Sequence, residues 1–209
     1  MAYGFGRWTN DTPALDRLCA VLKTCDFFGV ESGTQYSIHH LEDHSELGPA
    51  LRYKLASDYH IKRWAKRAFY ELMSGSILEI SETDEEYLGW GAYRALVRTH
   101  AEVAHHRLTL ALFPPNVVHA NFCYDNEYCT NCWAQNWVGM SGGLGNLLKD
   151  EISGAEVHDA LSDMPVPGMT GECRLLTITS IQDTPAGKSL LRKEEEYMDK
   201  VVEALVKEW

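Results

Sequence analysis

Apolar side chains recur at three- and four-residue spacings through most of this chain, the period of amphipathic helices. Asp11-Thr12-Pro13 is a helix start signal, and Leu15, Leu18, Val21, Leu22 and Cys25 then draw one stripe that Gly29 ends, predicting a helix over 13–28. A second helix is predicted over 32–44 with Tyr36, Ile38 and Leu41 inward, and a third over 47–59. The fourth, over 61–73, has the cleanest pattern: Ile61, Trp64, Ala65, Ala68, Phe69 and Leu72 share a face. Lys62, Arg63, Lys66 and Arg67 take the other, and Gly75 is the stop.

Ser81 and the acidic residues after it start another helix, with negative charge where the N-terminal dipole favours it. A long helical pattern covers 90–113, with Tyr93, Leu96, Val97, Ala104, Leu108, Ala111 and Leu112 expected inside. Pro114-Pro115 stops it. Beyond a loop, a short helix over 129–138 places Trp133 and Trp137 one turn apart on one face. Residues 140–146 read as a flexible connector, and 153–161 as a helix with a capping box from Ser153 to Glu156, broken by Pro165 and Pro167. Helices over 173–182 and 188–208 close the chain. Leu175 to Ile181 is the only β-prone run and is read as helix from its neighbours. Arg192-Lys193-Glu194-Glu195-Glu196 is read as a solvated face. The fold class is all-α, with helical lobes over 1–113 and 114–209 or one continuous domain.

Composition narrows the partners. The apolar fraction of 45% in 209 residues suffices for a real core and excludes disorder. No apolar run reaches membrane-spanning length and no secretory signal opens the chain, so an intracellular location is expected. A formal net charge of −11 disfavours a nucleic-acid backbone. The expected partner is another protein, with self-association left open.

The chemistry concentrates in the cysteines. Cys123, Cys129 and Cys132 are closely spaced and Cys173 lies about forty residues on, the pattern of a tetrahedral site that ties a loop to a distant segment. In a reducing compartment such spacing favours metal or packing over disulfides, and soft thiolates suit zinc. The expected ligands are Cys123, Cys129, Cys132 and Cys173, with His119 as substitute should one cysteine drop out. The plainer reading makes the thiols buried packing groups. The histidines at 39, 40, 44, 100, 105 and 106 are read as surface or capping residues.

An ordered series of segments resembles the helical region that follows the BTB/POZ fold in a large family of basidiomycete proteins. It comprises Phe27-Phe28, Ser37-Ile38-His39-His40-Leu41, Leu55 to Tyr59 through Trp64 to Phe69, and Tyr87-Leu88-Gly89. It continues through Phe113-Pro114-Pro115, His119, Cys123, Cys129, Trp133, Trp137 and Gly168-Met169 to Cys173. The resemblance implies a BACK-like first lobe. The residues before Pro13 are too few to hold the BTB/POZ fold itself, so its partner function does not carry over. In that family the last cysteine often has another three residues before it; Thr170 stands there in this chain, which has Cys132 instead.

The leading functional reading is a non-enzymatic helical protein-interaction domain stabilised by zinc. The alternative is a small-molecule enzyme with an aromatic-lined pocket and an open Cys/His metal site or a reactive cysteine. A zinc-dependent nucleic-acid regulator is a third reading, opposed by the charge.

Overall fold

The patterned stretches are helices in a computed structural model that describes residues 13–139, 143–149, 154–182, 192–207 and 209. In chain order the helices are α1 (Leu15–Phe27), α2 (Glu31–Glu42), α3 (Pro49–Asp58), α4 (Lys62–Ser74) and α5 (Glu82–Leu112). After Pro114-Pro115 come α6 (Asn126–Trp137), α7 (Gly143–Leu147), α8 (Gly154–Asp163), α9 (Gly171–Gln182) and α10 (Arg192–Val206). No strand occurs among the described residues, and no helix there is long and apolar enough to cross a membrane. The fold is all-α. The expected capping box at Ser153 and the start signal at Asp11-Thr12 lie outside the described residues.

Two compact units divide at Gly48 and Pro49, so the expected lobe boundary at Pro114 falls inside the second unit. In the first, α1 packs on α2 around Leu18, Leu22 and Leu41. Gly29, at φ +65°, reverses the chain between them. Its N–H donates to Asp26 O, while Val30 N–H reaches back to Cys25 O, so a left-handed cap satisfies the last carbonyls of α1. His44 is buried: Nε2 lies 3.1 Å from Pro13 O, and Nδ1 accepts from the Glu46 N–H.

In the second unit α4 packs against α3, α5 and α10. Its face Trp64, Ala65, Ala68, Phe69 and Leu72 is buried as the pattern requires. The opposite face is more than a solvated stripe. Lys66 Nζ bonds Asp199 of α10 at 2.6 Å, and the Tyr70 hydroxyl donates to the same carboxylate at 2.8 Å. The hydrogen bond from Lys66 is the main reason the Asp199 carboxyl is held below its ordinary 3.8; the Tyr70 bond and the Lys66 charge add to it and burial opposes it.

Helix α5 begins with a reciprocal capping box between Ser81 and Asp84. It is broken at Gly89, whose φ of 68° and ψ of 162° are non-helical, so the start at Ser81 and the pattern from residue 90 are two helical segments joined by a kink. The buried stripe is Leu88, Ala92, Leu96, Thr99, Arg107 and Ala111. Of the positions expected inside, Leu96 and Ala111 are buried, whereas Val97, Ala104, Leu108 and Leu112 are exposed. The phase differs because the buried face runs through two polar residues that an apolar count passes over.

Arg107 explains its own burial. Nε and one terminal nitrogen each bond Glu194 of α10 at 2.7 Å, and the other terminal nitrogen donates to Lys149 O at 3.1 Å. Glu194 is 3% exposed, so the charged run at 192–196 is not uniformly solvated: one carboxylate turns inward to meet a planar guanidinium in a bidentate pair. The geometry ties α10 to α5 by a charge pair that neither helix could bury alone.

Two outcomes follow. Glu194→Ala strands a buried guanidinium and should cost about 3–5 kcal/mol in urea unfolding, while the joint replacement Arg107→Met with Glu194→Leu should lie close to wild type. For Asp199 the depressed folded value means its contribution is present above the unfolded pKa and lost as pH falls through the folded one. The stability gap between wild type and Lys66→Met should therefore be small, largest near neutrality, and closed in acid; a gap that widens below pH 3.8 would refute the pairing.

Candidate metal centre

The segment between α5 and α6 has no regular structure, yet it is fastened at several points. Trp133 Nε1 donates to Pro115 O at 3.0 Å, and the Val118 N–H donates to Thr177 Oγ1 of α9 at 3.0 Å. The Ala120 N–H then donates to Cys173 Sγ at 3.2 Å, and the Cys123 N–H closes a turn onto Ala120 O. That turn sets His119 and Cys123 beside each other.

Helix α6 starts immediately after, capped by the Asp125 carboxylate, which accepts from the Tyr128 N–H at 2.8 Å. Cys129 sits in its first turns with its side chain towards the loop. Cys173 is in the first turn of α9, where its N–H donates to Thr170 Oγ1 at 3.4 Å. Three segments distant in sequence thus bring His119, Cys123, Cys129 and Cys173 together, one ligand atom from each, all within 4.8 Å of one another. A tetrahedral zinc with Zn–S of about 2.3 Å holds its sulfurs roughly 3.8 Å apart, so this group can close on an ion by shifts of about an ångström.

His119 is oriented for the role. Its Nε2 lies 3.3 Å from Thr130 Oγ1, whose own proton goes to Asn126 O at 2.8 Å. The hydroxyl oxygen therefore accepts from Nε2–H, which fixes the neutral tautomer with its lone pair on Nδ1. Nδ1 is buried and has no hydrogen-bond partner among the described residues. A buried nitrogen lone pair without a partner is costly, and the groups beside it are the three thiols.

The sulfurs differ in environment. Burial pushes the Cys129 thiol from 9.0 up to about 11; the Thr170 N–H lowers it, and Cys173 and Cys123 raise it further. Burial also works to raise Cys173, but there donors led by the Thr170 hydroxyl and the Ala120 N–H outweigh it and bring the thiol down to about 7. Donors aimed at sulfur are what a thiolate cluster uses to spread its charge.

Cys132 is not in the group. Three residues along a helix leave it about 60° around the axis from Cys129. It faces the apolar cluster of Trp133, Trp137, Val157, Leu161 and Ile178 instead. Its Sγ lies against Gly168, at φ +85°, where an added Cβ would come within 2.6 Å of the sulfur. The substitute ligand His119 takes the place expected for Cys132. The lone histidine before Cys123 was the available signal, and only the Ala120–Cys123 turn decides between the two. Residues that spacing could not reveal are Thr130 and Thr170, which orient His119 and donate to the sulfurs.

The connector expected over 140–146 is α7 from Gly143 on, and its residues 140–142 lie outside the described ones. A Cβ at Gly143 would fall 2.3 Å from the Trp137 indole, so glycine there permits a close approach of α7 to α6. Comparison with protein-family models, curated proteins and solved structures finds no match to this chain.

Cys173→Ser and His119→Ala should each lower bound metal and melting temperature together. Cys132→Ser should leave metal stoichiometry unchanged, as read by elemental analysis of protein purified without metal-binding tags. Loss of metal in Cys132→Ser with retention in His119→Ala would reverse the ligand assignment.

Proposed function

We propose that this chain is a non-enzymatic helical protein-interaction domain whose second unit is stabilised by one structural zinc held by His119, Cys123, Cys129 and Cys173. The observation that carries the reading is the completeness of the ligand set. Four protein donors fill a tetrahedral shell and leave no position for water or substrate, the arrangement of structural rather than catalytic zinc. The buried, unpartnered Nδ1 of His119 supports the fourth donor. The same completeness weighs against an open-site enzyme, because the histidine that would serve as a base is used as a ligand.

When bound, the ion would supply a cross-link between the loop at 119–123, α6 and α9. Cys123, Cys129 and Cys173 would hold it as thiolates, with Thr170 and the Ala120 N–H taking up part of the negative charge. Large apolar side chains remain on the surface of this unit, including Leu78, Trp90, Phe113, Phe122 and Tyr124, which supports a protein as the partner. The acidic balance disfavours nucleic acid. The reading agrees with the resemblance to helices that follow a BTB/POZ fold.

Cobalt substitution tests the shell. A four-coordinate spectrum with strong thiolate charge-transfer bands is expected; a five-coordinate centre with exchangeable water would move the reading to an enzyme. Metal affinity should also rise with pH. Cys129 keeps its proton to about 11 without metal and must give it up on binding, so each proton released makes the apparent affinity about tenfold tighter per pH unit. A pH-independent affinity measured by competition with a chelator would contradict thiolate ligation.

A further inference from the structure

Resting on that reading, we propose that the centre is a peroxide-sensitive metal switch in which Cys123 is the sulfur oxidised first and Cys129 is its disulfide partner.

The three thiols are not equivalent. Cys129 and Cys173 are 2% and 0% exposed, whereas Cys123 is partly open to solvent. Cys123 also sits on the only irregular segment of the three, between Phe122 and Tyr124, whose side chains are 81% and 99% exposed. An oxidant arriving from water meets this sulfur before the others, and accessibility together with thiolate character decides which cysteine reacts.

The geometry also selects the second sulfur. All the ligand atoms lie within 4.8 Å of one another, while a disulfide needs about 2.0 Å, so one sulfur must travel up to about 3 Å. Cys123 can make that movement because it belongs to a loop. Of its two neighbours, Cys173 lies on α9 and is held in place by the Ala120 N–H at 3.2 Å, so it is the less free to follow the loop. Cys129 is also close in sequence, so the ring that forms is short and leaves α9 in place.

The step balances with hydrogen peroxide as the named oxidant. The Cys123 thiolate attacks one peroxide oxygen; an S–O bond forms, the O–O bond breaks and hydroxide leaves. The Cys129 thiolate then attacks the sulfenic sulfur; the S–S bond forms, the S–O bond breaks and a second hydroxide leaves. Two thiolates give up two electrons in all, and one peroxide is reduced to two hydroxides. The site has then lost two of its four ligands, and His119 with Cys173 cannot retain the ion. A thiol reductant restores the ligand set.

The test uses the zinc-loaded full chain treated with hydrogen peroxide, with zinc release followed by a chromophoric chelator and disulfides mapped by mass spectrometry. The expected result is one zinc released for each two thiols lost, a Cys123–Cys129 linkage in the released fraction, and recovery of zinc binding after reduction. Cys132→Ser, which leaves the ligands intact, should release zinc at the wild-type rate. A protein that carries zinc but keeps it in excess peroxide would overturn the switch alone. So would a linkage through Cys173 or Cys132, or release accompanied only by irreversible sulfinic acid. A full chain that binds no zinc at all would overturn the proposed function and the switch together.

Discussion

Two indole N–H groups set the geometry of the second unit. Trp133 and Trp137 are each 1% exposed, and a buried indole must place its N–H on an acceptor or give up much of what its burial gains. Two of the three acceptors lie in the last turn of α5 and the third in the loop just beyond it. Pro114 and Pro115 halt that helix, which frees carbonyls in its last turn that no further turn can use. Trp137 Nε1 takes Leu110 and Ala111 O at 3.3 and 3.1 Å, and Trp133 takes Pro115 O at 3.0 Å. Trp137 thus fills the two carbonyls that the missing N–H groups of Pro114 and Pro115 leave open, while Trp133 takes the carbonyl of Pro115 itself. With both indoles fixed, the rotation of α6 about its axis is fixed as well. Cys129 then turns towards the loop and Cys132 towards the apolar cluster.

That rotation explains what the sequence shows and what it hides at the candidate metal centre. Spacing alone marks Cys123, Cys129 and Cys173, because a loop, a helix start and a remote segment are what a cross-link joins. Spacing also marks Cys132, since C-x2-C is a chelating pattern when it lies in a turn. Here both of its cysteines lie inside a regular helix whose orientation the tryptophans determine, and one is carried off the site. The choice of His119 in its place rests on a hydrogen bond between residues 120 and 123 and on the Thr130 hydroxyl, neither of which leaves a periodic trace.

The fold was legible where burial is apolar and obscure where it is ionic. Helix α4 reads directly because five of its six apolar stripe residues are buried and its cations lie opposite. Helix α5 reads out of phase because Thr99 and Arg107 occupy its buried face, and Glu194, hidden in a run of charges, is the reason Arg107 can do so. A charged residue enters a core only with its partner, and a single chain position cannot announce a partner some 87 residues away. The lobes over 1–113 and 114–209 are read from the Pro114-Pro115 stop beside the alternative of one continuous domain, and the Arg107–Glu194 pair joins α5 and α10 across that position within one unit.

The arrangement of donors weighs against reading the cysteines as packing groups. A neutral thiol is a weak hydrogen-bond acceptor and gains little from an N–H aimed at it. Cys173 nevertheless receives the Ala120 N–H, with the Thr170 hydroxyl beside it, and Cys129 is approached by the Thr170 N–H. Cys132 lies in the apolar cluster against Gly168, with the Tyr128 hydroxyl beside its sulfur, and has no backbone N–H aimed at it among the described residues. Surroundings built for a thiolate, next to an unclaimed imidazole nitrogen, are more consistent with a ligand than with a hydrophobe.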